Sequence, residues 1–312
     1  MIARYESVCR HPVVFRALTG LAIAEFDTLI AAVLPQYAAA EQVRHTRPAR
    51  QRAIGAGPPF RLDSRDQVLL TVVWLRKYLT HELLGWLFGV SDSTVTRCLA
   101  RLLPVLAAAG AATMRMPQPA QRPRLQRADL LAEVPELLVI VDSFEQRVQR
   151  PHQRAEADTW YSGKKKQHTM KSQLTVDEDT GEIVDVGPSV RGPTADMTLL
   201  KDSHVLDRLP TGVGIGGDLA YIGIKDLHPS GLGATPRKKP RGKERPAADK
   251  AYNTAFARRR IVVEHTIGRA RRWECLTQTD REHREHQRER VQAVSGFVNR
   301  QLRGIGRVAA AA

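Results

Sequence analysis

The chain is poor in cysteine and in acids, and it lacks any long run of apolar residues. Its 312 residues include three cysteines, Cys9, Cys98 and Cys275, far apart and with no CxxC pair. That spacing excludes a disulfide scaffold, offers no structural zinc motif and fits a reducing compartment. No apolar stretch approaches the roughly 20 residues of a membrane span, and the first residues carry no apolar core of a secretory signal. The expectation is a soluble cytoplasmic protein with no membrane partner. Acids are scarce: 33 Asp and Glu stand against 48 Lys and Arg, giving a formal net charge of +15. A GC-rich gene explains arginine in place of lysine but not missing acids, so the imbalance points to nucleic acid.

What is present falls into regions of different periodicity. Residues 19–34, TGLAIAEFDTLIAAVL, read as a helix started by Thr19 and stopped by Pro35. Residues 41–61 set Arg44, Arg47, Arg50, Arg52 and Arg61 among Pro and Gly, a basic arm or a solvated linker. In residues 62–106 three helices are expected: Ser64 to near Tyr78, a second capped by Thr80 and ended by Gly89, and a third capped by Ser91 and running to about Leu103. Gly85, Gly89 and Val95 have the spacing of a helix-turn-helix, which would present Ser93, Thr94 and Arg97 to DNA. The Pro-, Gln- and Arg-rich stretch that follows marks a linker. The expected domains are 1–60 (a helical segment with a basic arm), 61–109 (the all-α helix-turn-helix domain), 110–132 (linker), 133–304 (an α/β domain) and 305–312 (tail).

Beyond the linker, LLVIVD (137–142) is a short apolar run expected to be a central strand delivering Asp142 at its C-terminal end. KSQLTV and EIVDV alternate around DEDTG as a β-hairpin. VGIGGDLAY (213–221) is a second strand ending near Asp218. In RRRIVVEHTIGRARRW (258–273) a lone acid, Glu264, sits on an arginine-rich helix. Arg260, Glu264 and Arg271 share one helix line there, beside an apolar stripe of Val263, Ile267 and Ala270. Acid on a phosphate-facing helix is unfavourable unless it holds a cation. Three such acids among basic loops suit Mg²⁺, which takes carboxylate oxygens and shares its shell with phosphates. The strand–hairpin–strand–helix order suits an RNase H-like α/β core.

These stretches resemble a known family. VDSFEQRVQRP, WYSGKKKQHTMKSQLTVDEDTGEIVDV, GPTADMTLLKD, GGDLAY, PRKKPRGKE and RRIVVEHTIGRARRW occur in the order found in bacterial insertion-sequence transposases of the IS-five type, whose catalytic domain is similar to that of Harbinger-type transposases. Together with the helix-turn-helix the resemblance spans residues 62–300. It implies a DDE triad of Asp142, Asp218 and Glu264 holding two Mg²⁺ (or Mn²⁺) ions, with double-stranded DNA as partner. The DNA would be the element's terminal inverted repeats and a target, cut and joined by a homodimer or larger assembly on the nucleoid. Of the family's Tyr–Arg–Glu–Lys signature, Arg260 and Glu264 match, Arg271 stands for Lys and Ala257 for Tyr.

Other residues compete for roles. Asp196 rivals Asp218, but its place before MTLLKD suits a helix N-cap. Glu145 reads as loop support, and Lys164, Lys165 and Lys166 read as a solvated turn or a phosphate clamp beside the acids. Cys275 with His283 and His286 imitates a zinc site, yet mixed charge around it favours a solvated helix. The alternative functions are a non-catalytic helix-turn-helix regulator and an RNase H-like nuclease that cuts without joining.

Overall fold

The structure is a computed structural model that describes residues 3–46, 60–119, 134 and 137–311. Arg47, Arg50 and Arg52 of the expected arm, and most of the expected linker, lie outside them. The chain divides into two compact units. One comprises Met1–Ala112, Arg272–Gln278 and Glu289–Ala312; the other Thr113–Arg271 and Thr279–Arg288.

The first unit is helical: α1 (Tyr5–Val8), α2 (Pro12–Thr19), α3 (Ile23–His45), α4 (Ser64–Lys77), α5 (His81–Phe88) and α6 (Asp92–Ala111). Its centre is α4, buried all round from Asp66 to Leu75. The helix-turn-helix forms on the expected punctuation. Thr80 Oγ1 accepts the Leu83 N–H and Ser91 Oγ the Thr94 N–H, both at 3.3 Å. Gly89 turns the chain at φ 65°, a left-handed conformation that glycine adopts without strain. A Cβ on Gly85 would stand 2.7 Å from Val90 O, and Val95 is fully buried in the angle.

Three helix boundaries differ from expectation. Thr19 ends α2 rather than starting a helix; its hydroxyl donates to Phe15 O at 2.7 Å, and Glu25 starts α3 by accepting the Ala22 N–H at 2.7 Å. Pro35 lies inside α3, because burial of Val33 and Tyr37 on either side holds the helix through the one missing bond. The third helix of the motif, α6, runs on to Ala111 instead of about Leu103, carrying Pro104 and burying Leu106, Ala109 and Gly110. By length and composition α6 could cross a membrane, as could α2 and α3 taken as one bent pair. This departs from the expectation that no stretch would, and 56% of the apolar window of α6 is buried within the protein.

The second unit is a mixed sheet with helices, as in the RNase H-like fold. In order it holds β1 (Leu137–Arg147), α7 (Arg154–Trp160), β2 (Tyr161–Ser162), β3 (Gln167–Asp177), β4 (Ile183–Val186), β5 (Val190–Arg191), α8 (Asp196–Ser203), β6 (Val213–Gly216), α9 (Ile224–Leu227), β7 (Gly233–Ala234) and α10 (Ala247–Ala270). The strand order is β2-β3-β1-β6-β7, with β4 and β5 also paired to β3. β1 runs antiparallel to β3 and parallel to β6. β3 is buried on both faces from Thr169 to Asp177, so its sequence does not alternate as expected; it is a central strand. One apolar core gathers Val139, Val141, Leu200, Val213, Ile215 and Tyr221. On α10 the expected stripe is buried: Val263, Ile267 and Ala270 are 0%, 8% and 1% exposed.

The last helix, α11 (Gln287–Ala311), groups with the helical unit from Glu289 onward. The reason is a bare-backbone crossing: a Cβ on Gly110 would lie 2.1 Å from Gln292 O, and one on Gly296 2.4 Å from Gly110 Cα. Gly110→Ala is therefore expected to lower stability by about 1–3 kcal/mol through overpacking. Gly268→Ala on α10, where a Cβ meets nothing within 4 Å, should raise it by up to about 1 kcal/mol. Denaturant titration of both variants checks the contrast.

Candidate active site

Asp142 lies mid-strand rather than at a strand end. Pairing of β1 with β6 stops at Ile140↔Gly216, while pairing with β3 continues through Asp142↔Leu174 to Arg147. The acid therefore emerges where one neighbour has ended and the other persists. Around it is a cleft of ≈ 300 Å³ lined by Asp142, Glu145, Lys164, Lys165, Lys171, Asp196, Glu264 and Arg271, among others. Arg260 joins two of the acids: it hydrogen-bonds Glu264 one turn along α10 and stands 3.8 Å from Asp142 Oδ2. Burial pushes the Asp142 carboxyl up to about 6; Asp218 and Asp196 add to the rise, against the Ser143 N–H and Arg260. Tyr221 is likewise pushed up by burial and by Asp196, Asp142 and Asp218.

The two rival acids exchange the roles their sequence settings suggested. Asp218 is the capping residue: its Oδ1 accepts the Ala220 N–H at 2.9 Å, starting the 3₁₀ turn Leu219–Tyr221. Asp196 is not an N-cap. Ala195 holds that position without a side-chain bond, and Asp196 turns instead into the cleft. There it accepts the Ser143 hydroxyl at 2.5 Å and faces Lys171 Nζ at 3.1 Å. Lys171 also donates to Thr194 O at 2.6 Å. The charge of Asp196 is thus compensated by a neighbouring cation, whereas Asp218 pairs with no cation among the described residues. Asp218 raises Asp142 more than Asp196 does.

Lys164 and Lys165 line the cleft and Lys166 does not; it is the left-handed turn residue, at φ 52°. Glu145, expected to support a loop, lies inside β1 instead, lines the cleft and accepts the Thr169 hydroxyl of β3 at 2.6 Å. Lys171 and Ser143 were not singled out from the sequence: lysine inside a strand carries no local mark, and only the β1–β3 pairing, with Ser143 opposite Gln173 and Lys171 opposite Glu145, together with the start of α8, brings both to Asp196. Ser93 and Arg97 are exposed on α6, with Arg97 Nη2 donating to Thr94 Oγ1 at 3.3 Å. Cys275 is fully buried. Among the described residues, no three His, Cys, Asp or Glu side chains are drawn together closely enough to hold a metal ion.

Comparison with known proteins bears on the whole chain. Residues 60–112 match the helix-turn-helix of DDE superfamily endonuclease, and residues 141–299 match DDE superfamily endonuclease itself. The chain belongs to the DDE superfamily of endonucleases. Over 288 residues it is 27% identical to the probable transposase for insertion sequence element IS702 of Microchaete diplosiphon, covering 92% of this chain and 94% of that one. Domain pairing and full-length similarity together make it a DNA-binding enzyme of the DDE transposase class, and that superfamily depends on divalent metal. No solved structure matches.

The site carries a stability cost with a defined pH dependence. The Asp142 carboxyl is raised from 3.8 to about 6, so its ionised form is disfavoured in the folded state. The penalty is absent below about pH 4, grows between about pH 4 and 6 and is complete above, reaching up to about 3 kcal/mol. Asp142→Asn is expected to raise the melting temperature of metal-free protein at pH 8 and to change it little at pH 4.5. Equal stabilisation at both pH values, by calorimetry, would contradict this origin.

Proposed function

We propose that the chain is the transposase of its own insertion sequence, of the IS-five type, and that Asp142, Asp218 and Glu264 are its catalytic acids. The observation that carries the reading is electrostatic. Acids from β1 and from α10 line one cleft; burial holds the Asp142 carboxyl up to about 6, and the charge of Asp218, in the turn after β6, adds to the rise. Hard oxygen donors short of a cation suit Mg²⁺ or Mn²⁺ rather than a soft metal. Two such ions, when bound, supply the charge that activates the attacking oxygen and stabilises the leaving one.

The chain's own residues bind and orient DNA. Ser93, Thr94 and Arg97 read the terminal inverted repeat from the major groove. Lys164, Lys165 and Arg271 hold phosphate oxygens at the cleft, Lys166 adds positive charge from the adjoining turn, and Arg260, once displaced from Glu264, joins them. Water attacks phosphorus and the P–O3′ bond breaks, the 3′ oxygen leaving as a hydroxyl after taking a proton from solvent. That 3′-hydroxyl then loses its proton, attacks a target phosphodiester and displaces a second 3′ oxygen. Holding two element ends calls for a dimer or larger assembly, working in the cytoplasm on the nucleoid.

Asp196 is kept out of the triad because Lys171 and Ser143 already satisfy it. Glu264→Gln and Asp218→Asn should each abolish Mg²⁺-dependent nicking of a duplex carrying an element end, by more than about 100-fold, while DNA affinity in EDTA stays within about twofold. Nicking retained by either variant removes that residue from the triad.

A further inference from the structure

A second basic feature lies on α10 away from the cleft. A shallow groove of ≈ 540 Å³ is lined by Arg245, Lys250, Thr254, Ala257, Arg258 and Ile261 with Asn253. The loop beside it is dense in positive charge, with Arg237, Lys238, Lys239, Arg241, Lys243 and Arg245 against one acid, Glu244. This loop is pinned rather than loose. Asn253 accepts the Arg237 N–H at 2.7 Å and donates to Arg237 O at 3.0 Å. Arg237 pairs with Asp249 at 2.8 Å and lies 4.5 Å over the Tyr252 ring.

Helix geometry ties this groove to the candidate site. On α10, Lys250, Thr254, Ala257 and Gly268 all fall within roughly 40° of Ile261, and Glu264 within roughly 60°. Gly268 and Glu264 line the catalytic cleft. One helix face thus runs from the cleft through the exposed Ile261 to the basic groove. The 14 residues from Lys250 to Glu264 rise roughly 21 Å, which at 3.4 Å per base pair is about six base pairs.

We propose that this face of α10 is a track for the backbone of duplex DNA. In it Arg245, Lys250 and Arg258 grip phosphates, Lys250 about six base pairs and Arg258 about three base pairs from the strand being cut. The contacts are sequence-independent, so they position the duplex and add affinity without reading it. A pre-set loop adds grip because less ordering is needed on binding. The six-base-pair spacing rests on the cleft proposed above; the groove's affinity for DNA does not.

The test uses the full chain carrying Arg245→Ala, Lys250→Ala and Arg258→Ala together, with Arg258→Gln alone as a milder variant should the triple one fail to fold. Affinity for a 40-base-pair duplex of arbitrary sequence is measured across salt concentrations in EDTA, where no cleavage occurs. Three lost phosphate contacts should lower the slope of log K against log salt by about 2–3, and one by about 0.9. An unchanged slope in a folded variant overturns the proposal. Hydroxyl-radical footprints on a duplex nicked at the cleavage position should lose protection about three to six base pairs from the nick in the triple variant, and about three base pairs from it in Arg258→Gln. Loss elsewhere overturns the continuous track. If Glu264→Gln retained nicking while the slope still fell, the cleft would be wrongly assigned and the groove would stand.

Discussion

The catalytic unit depends on how α10 is docked against its sheet. Val263, Ile267 and Ala270 bury one side of the helix, and the Thr266 hydroxyl donates to Gly181 O at 2.9 Å in the hairpin turn. Arg259 grips Glu178 through two bonds of 2.5 Å. These contacts fix the rotation of the helix about its axis. Once that rotation is set, Arg260, Glu264 and Gly268 have nowhere to point but the cleft beside Asp142, and the next exposed positions form the basic groove. A helix with such alternating demands could not turn by one residue without burying arginine.

Charge compensation sorts the acids of the site. Asp196 has Lys171, Glu178 has Arg259, and Glu264 borrows Arg260, an exposed one-turn pair that is weak in water. Asp142 has only a distant share of Arg260, and Asp218 has a backbone N–H. A structure built for stability alone would neutralise these two. At Asp142 that shortage adds to the effect of burial and costs folding free energy, a trade common at functional centres.

Much of the helix-turn-helix was legible in the sequence because its signals are local. Thr80, Gly89 and Ser91 act on backbone groups within three residues, so the type of residue and the spacing decide the outcome. The acids Asp142, Asp218 and Glu264 drew notice in the sequence for a similar reason, each being an exception in its own neighbourhood. Pro35 and Thr19 misled because their local preference was overruled by burial of Val33 and Tyr37 and by the Gly20 turn. Asp196 and Asp218 misled in the same way: a turn of three residues is too short to announce itself, and a carboxylate's partner across a sheet leaves no trace beside it in the chain.

The sequence by itself determined the elements, the order of the acids and the excess of positive charge, since periodicity, capping and composition are properties of neighbours along the chain. Only the tertiary structure decided that Asp142 sits mid-strand, that Lys171 neutralises Asp196, that α11 crosses α6 at Gly110, and that one face of α10 joins the cleft to the basic groove. Each of these is set by strand register, helix rotation or close backbone approach. Such relations exist only between segments far apart in sequence, and burial fixes them once the chain has folded.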